Sequence, residues 1–499
     1  MLNDSFMTAL TPSPFAKGET EIFIEPSMAN RHGLITGSTG TGKTVTLRVL
    51  IEQFSSMGVP VFLPDIKGDL SGLCRPGGGN KKIEERARLL ELSDLSYEGF
   101  PVRFWDLHGK EGHPVRATIS EMGPLLLSRI LNLNNTQSGI LSMLFRYADD
   151  SRLLLIDIAD LVSLITHALE NTAEIKGKYG NMTSASLGAI QRAVLTLEEQ
   201  GGDLFFGEPS LVLEDILEVK DGKGTINLLS AAALMKTPKI YSTFLLWLLS
   251  ELYDLLPEAG DLEKPRFLLF FEESHLLFTD TPKVLEEKII QIVRLIRSKG
   301  VGVYFITQNP GDIPEAVLGQ LGNRVQHALR ATTPGEMRAV KAAAKSFRQN
   351  PKIDTEKVIG ELGIGEALVS VLDRSGVPAP VDRAFIYPPR SSLPPLSPAD
   401  IQAEVRSSPI FGRYEEAINR HSAAEELLQR QKEAMAREQA AEKPTVKPKP
   451  APSSSGRSSK TKDAGDVVST IAIRTATNVG TQIGKEIVRG MLGSWLKKK

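Results

Sequence analysis

The sequence predicts an α/β fold: a mostly parallel sheet with crossover helices, a helical insertion and a helical C-terminal extension. Three observations carry this. Gly37-Ser38-Thr39-Gly40-Thr41-Gly42-Lys43-Thr44 matches G-x-x-x-x-G-K-[ST]. It lies between a short apolar run, Gly33-Leu34-Ile35, and a stretch with helical spacing at Leu47, Leu50, Ile51 and Phe54. Phe267 to Phe271 and Val301 to Ile306 are unbroken apolar runs, the pattern of strands buried on both faces. From about 118 to 219 apolar residues recur every three to four positions instead, as in packed helices.

The elements follow in order. Residues 1–20 are polar with scattered prolines and read as a flexible arm; the main α/β unit spans 21–390. Glu21 to Ile24 is a short strand, Val59 to Leu63 a buried one ending in Pro64-Asp65-Ile66-Lys67-Gly68-Asp69, and Val102 to Asp106 a third. Strand, helix, strand spacing argues a parallel sheet. Within the insertion, Leu125–Leu133, Ser138–Tyr147, Leu153–Leu169 and Ser186–Gln200 read as helices. Ile226–Leu229 returns to strand, followed by helices over Lys239–Leu256 and Lys283–Ser298. A strand near Arg324–Leu329, a helix over Pro334–Lys345 and a hairpin from Glu366 to Ile386 close the unit. A proline-rich connector after Tyr387 leads to exposed helices, making 391–441 a helical extension. Residues 442–465, Lys-Pro-rich and Ser-rich, read as a disordered linker, and 466–499 as an amphipathic helix with Gly480 and Gly484 four apart.

The 499 residues carry a net charge of −1, so any polyanion site has to be a local patch. Cys74 is the only cysteine, which excludes an internal disulfide and a multi-cysteine zinc site. The most apolar segment, Phe244 to Leu249, is stopped by Glu251 and Asp254, too short for a transmembrane helix. The start shows no basic region followed by an apolar core, so the expectation is a cytoplasmic protein.

Strand, glycine loop and helix are what phosphate binding requires. Glycines let backbone N–H groups converge on the phosphates, and the helix N-terminus adds partial positive charge. ATP is the expected ligand: Gly37 to Thr44 hold it, Lys43 reaches the β/γ-phosphates and the Thr44 hydroxyl takes Mg2+. Phe270-Phe271-Glu272-Glu273-Ser274-His275 ends an apolar strand in two acids: Glu272 for Mg2+, Glu273 to orient or deprotonate the attacking water. Adjacent acids of this kind mark the RecA-like (ASCE) P-loop NTPases, which have an extra strand between the strands of the loop and of the acids; Val59–Leu63 can supply it. Gln308, in Thr307-Gln308-Asn309-Pro310 at the end of the other buried strand, points into the same crevice to sense the γ-phosphate.

These motifs together resemble the HerA/FtsK superfamily of DNA-translocating ATPases. The resemblance rests on Asn30-Arg31-His32-Gly33 running into the P-loop, Pro64-Asp65-Ile66-Lys67-Gly68, Glu272-Glu273-Ser274-His275 and Thr307-Gln308-Asn309-Pro310. It covers about 20–390 and is strongest to the HerA-related branch often called YjgR-like, through Gly188-Ala189-Ile190-Gln191-Arg192 and Phe206-Gly207-Glu208-Pro209. It implies a homohexameric ring that hydrolyses ATP and moves double-stranded DNA as a translocase or helicase. It also implies an arginine finger given in trans: Arg324 in Gly322-Asn323-Arg324-Val325, with Arg330 as alternative. HerA's N-terminal β-barrel and FtsK's membrane region and winged helix have no counterpart here. DNA contacts are expected from a basic loop, Lys176-Gly177-Lys178-Tyr179-Gly180-Asn181, and from lysines and arginines of the tail between Lys443 and Lys462. The other reading is an ATP-dependent scaffold that binds a protein partner, with the C-terminal helix as docking element, and moves nothing.

Overall fold

The computed structural model describes residues 12–92, 95–234, 237–278 and 283–441. Its strands are β1 (Ala16–Lys17), β2 (Glu21–Ile22), β3 (Gly33–Thr36), β4 (Val61–Asp65), β5 (Val102–Asp106), β6 (His113–Pro114), β7 (Val219–Lys220), β8 (Lys223–Gly224), β9 (Ile226–Ser230), β10 (Phe267–Phe271), β11 (Val301–Thr307), β12 (Asn323–Gln326), β13 (Glu366–Ser370) and β14 (Asp382–Ile386). Twelve form one sheet in the order β2-β1-β14-β13-β12-β3-β11-β10-β4-β9-β5-β6, and β7 and β8 pair separately. From β12 to β6 all pairings are parallel; β13, β14, β1 and β2 extend the sheet antiparallel.

Side chains alternate across the central strands, so each face has its own core. Leu268, Phe270, Tyr304 and Ile306 face α1 (Lys43–Ser56), the helix that leaves the P-loop. Phe267, Leu269, Phe271, Val303 and Phe305 face the other way, into a core shared by the helices over Pro238–Leu255 and Lys283–Ile296 and the helical insertion. That insertion comprises α3 (Ile119–Ile130), α4 (Asn135–Asp150), α5 (Ile158–Glu170), α6 (Thr172–Tyr179), α7 (Ser184–Leu197), α8 (Asp203–Phe205) and α9 (Leu213–Ile216), following α2 (Lys81–Leu89). The starts of α3, α4 and α5 are set by side-chain caps: Thr118, Asn134 and Asp157 each form a reciprocal capping box with the residue three further on. Then come α10 (Pro238–Leu255), α11 (Lys283–Ile296), α12 (Glu315–Leu318), α13 (Pro334–Lys345), α14 (Thr355–Glu361), α15 (Pro398–Ser407) and α16 (Ala423–Ala441). Residues to Met435 form one compact unit. Among the described residues no helix is long and apolar enough to cross a membrane.

Four expectations need correction. The strand between those of the loop and of the acids is β11, not Val59–Leu63: β11 pairs with both β3 and β10, and β4 lies beyond β10. Gly302 lets β11 fit there, since a Cβ would sit 2.5 Å from Leu268 Cδ2 and 2.6 Å from the Ala29 oxygen. The arm is not loose over its described part: Phe15 and Ala16 are buried, and Ala16 and Lys17 pair with Ile386 and Phe385. The extension after the connector is not merely exposed helix, because Tyr414 is fully buried, with its ring 5.3 Å from Trp105 and its hydroxyl donating to Asp215 at 2.5 Å. Lys176 to Tyr179 end helix α6 rather than form a loop, and Lys178 is paired with Asp150 at 3.4 Å. The linker 442–465 and the helix 466–499 lie outside the described residues.

Candidate active site

At the C-terminal end of β3 the chain turns through the glycine loop into α1. Gly37 (φ 149°) and Gly42 (φ 119°) hold backbone that other residues rarely adopt. A Cβ would also press Gly37 against His327 at 2.5 Å and Gly42 against the Gly365 backbone at 3.2 Å. The loop is tied internally, with Thr41 Oγ1 donating to Ser38 O at 2.7 Å. It is tied to the chain after β12 by Ser38 N to Ala328 O (2.9 Å) and Arg330 N to Ser38 Oγ (3.1 Å). Lys43, the first residue of α1, donates to Gly37 O (2.6 Å) and Ser38 O (3.1 Å). Burial holds its ammonium below the usual lysine range, with Glu273 and Glu272 working against that fall. Thr44 follows, half-buried.

Behind the loop lies a residue that the motifs did not single out. His327 is fully buried, and its Nδ1 donates to Glu366 O (2.8 Å), which leaves Nε2 to accept from Thr46 Oγ1 (2.7 Å). Burial, helped by nearby Lys43, pushes its pKa down to about 4. Neutral His327 thus clamps the loop and α1 to β13. The available signal was a polar pair, Gln326-His327, at the end of β12 directly before the apolar Ala328-Leu329; Gln326 Oε1 accepts from Thr36 Oγ1 at 2.6 Å.

The strand order β3-β11-β10 brings the separate motifs together. Thr39 Oγ1 of the loop donates to Gln308 Oε1 (3.2 Å), and Gln308 Nε2 donates to Glu273 Oε2 (3.5 Å). Glu273 sits at φ 47°, ψ 48°, a left-handed conformation that costs a non-glycine residue about 1 kcal/mol or more. The next residue pins that turn, Ser274 Oγ donating to Ile306 O at 2.8 Å. His275 Nδ1 is 3.6 Å from Glu273 Oε2, and Lys67 reaches Glu272 at 3.2 Å and Glu273 at 3.1 Å. Glu272 is 3% exposed, and burial pushes its pKa up to about 7 against the pull of Lys67. Its Oε2 has no hydrogen-bond partner. A buried acid with an orphaned oxygen beside a phosphate loop fits a hard divalent cation, and Glu272 with Thr44 are the residues that would hold Mg2+.

Asp65 makes a turn, accepting from Gly68 N (2.7 Å) and Leu70 N (3.0 Å). The two finger candidates are occupied within their own chain. Arg324 donates to Leu321, Ser346 and Leu318 carbonyls at 3.0, 3.0 and 2.8 Å, tying β12 to the ends of α12 and α13. Arg330 donates to Gly360 (2.7 Å) and Leu362 (3.2 Å) carbonyls.

Comparison with known proteins agrees with this fold. A curated relative, the DNA double-strand break repair helicase HerA of Saccharolobus solfataricus, is 22% identical over 347 residues, 68% of this chain and 61% of that protein. This chain therefore spans less than two thirds of that relative's length. The bacterial conjugative coupling protein TrwBdeltaN70 in its unbound monoclinic form shares the fold: TM-score 0.51, 12% identity, 77% of this chain and 92% of that one. The plasmid coupling protein TrwB in complex with the non-hydrolysable GTP analogue GDPNP gives 0.50, 12%, 76% and 90%. The match to a family description runs from residue 13 to 499. With its P-loop, paired acids and parallel sheet, the chain belongs to the helicase HerA-like C-terminal family.

Proposed function

We propose that this protein is an ATPase that hydrolyses Mg-ATP in a ring of subunits, a hexamer, and couples hydrolysis to movement along duplex DNA. The observation that carries the catalytic part is the line of hydrogen bonds from Thr39 through Gln308 to Glu273. It sets an acid and an amide side by side over the phosphate loop. Glu273 accepts the proton of the attacking water, and Gln308 orients that water and reports on the γ-phosphate. Lys43 neutralises charge on the β- and γ-oxygens, at the cost of its bonds to Gly37 and Ser38 carbonyls. Mg2+, when bound, supplies further neutralisation of the phosphate oxygens. A trans arginine from Arg324 or Arg330 requires that its bonds to carbonyls of its own chain first break. The DNA part is supported by family membership and by the relative's description as a DNA repair helicase.

One set of measurements tests this. Lys43→Ala is expected to lose nucleotide binding, whereas Glu273→Gln is expected to bind nucleotide and lose hydrolysis by at least about a hundredfold. Linear duplex DNA should raise the wild-type ATPase rate. Equal turnover by wild type and Glu273→Gln would remove Glu273 from the reaction. An ATPase indifferent to DNA would favour the scaffold reading.

A further inference from the structure

Lys67 lies on the turn after β4, and Asp65 makes that turn rigid by accepting from Gly68 and Leu70 amides. Because β4 pairs with β10, the turn overhangs the acids at the end of β10. The ammonium contacts one oxygen of each acid, Glu272 Oε1 at 3.2 Å and Glu273 Oε1 at 3.1 Å. The two sides of this bridge differ in exposure. The Lys67 side chain is 45% exposed, whereas that of Glu272 is 4% exposed and keeps an oxygen with no partner. One monovalent cation on a flexible stem therefore holds the open side of an acid pair whose inner oxygen is unsatisfied. A divalent cation seeks the same oxygens and repels an ammonium at that range.

We propose that Lys67 is a positioning residue, the resident counter-cation of the acid pair, displaced from Glu272 when a divalent cation binds. Its departure releases Glu273 Oε1, so that the second acid turns to its water only after the metal has arrived. This couples metal loading to activation of the base, and it rests on the reading of Glu272 as the acid that holds the metal.

The test is Mn2+ binding to the full chain without nucleotide, followed by electron paramagnetic resonance at pH 8.5. Lys67→Met removes the competing cation and is expected to bind Mn2+ about tenfold more tightly than wild type. Lys67→Gln should move the same way, and Lys67→Arg, which keeps the charge, should stay within about twofold of wild type. A residue that merely supported the turn would weaken binding when removed, the opposite sign. Unchanged or weaker Mn2+ binding in both Lys67→Met and Lys67→Gln overturns the proposal. If Glu272→Gln still weakens Mn2+ binding in that case, the metal reading stands alone. If Glu272→Gln has no effect in any background, both readings fall.

Discussion

His327 and His32 are buried imidazoles, and burial holds each near pKa 4, below the ordinary 6.5. His32 accepts from Val303 N at 3.0 Å through Nδ1, so both rings are built in as neutral groups. A depressed histidine favours the fold fully above the unfolded value of 6.5, and that contribution is lost as pH falls toward 4. Glu272 and Glu251, both raised to about 7 chiefly by burial, act in the opposite sense. Their contribution is full below 4.5 and lost as pH rises through 7, so the two pairs offset each other in the whole protein. The His327 part is isolated by a difference. The stability advantage of wild type over His327→Gln should shrink by about 2 kcal/mol between pH 7.5 and 4.5, measured by urea unfolding. A constant difference would mean that the ring is not held neutral. Lys43, Glu272, Glu273 and Gln308 were legible beforehand because each ends a contiguous pattern of strand and loop. His327 was not, since its partners Thr46 and Glu366 come from distant segments, and Lys67 stood out only as part of the Pro64–Gly68 motif, without its contacts to Glu272 and Glu273.

Among the elements, the strands themselves were visible as apolar runs, but their order was not. Val61–Asp65 and Val301–Thr307 are both fully buried, and periodicity says nothing about which neighbour a two-sided strand takes. The two helices of the extension after Tyr387 were visible, but the docking of the segment between them was not, because its anchors are few and far apart, with Tyr414 reaching Trp105 and Asp215. A polar cluster on α1 fixes the start of that segment. Arg48 donates to Ser391 Oγ (3.1 Å), Ser392 O (2.6 Å) and Asp69 O (2.7 Å). Glu52, one turn on, accepts from the Arg390 and Ser391 amides at 2.8 and 3.0 Å. Both side chains are buried, so removing one leaves the other charge uncompensated. Arg48→Met should cost about 3 kcal/mol, and the double variant with Glu52→Gln clearly less than the sum of the two single losses. Strict additivity in chemical denaturation would show that the two residues act independently. The cluster joins the helix of the P-loop to the connector.

At the scale of the whole molecule, a net charge of −1 gives no general attraction to DNA. Any duplex affinity must come from a few basic side chains, repeated around the ring if the proposed assembly forms. Binding of that kind releases counterions, so log affinity falls linearly with log salt by about 0.9 for each phosphate neutralised. The structure separates the two lysines of the insertion. Lys178 is committed, at 3.4 Å from Asp150 and 4.9 Å from the centre of the Tyr179 ring, whereas Lys176 is exposed one turn before the end of α6. If this helix faces the duplex, Lys176→Gln should flatten the salt slope by about one unit for each subunit that touches a phosphate. Lys178→Gln should change it less, because the lysine's charge is already partly met by Asp150. Removing residues 443–499 should flatten the slope instead if the basic tail supplies the contacts. Fluorescence anisotropy of a labelled duplex over a salt series, on material of defined oligomeric state, reads all three. A slope unmoved by any of them, with no DNA effect on turnover, would leave an ATPase whose load is a protein.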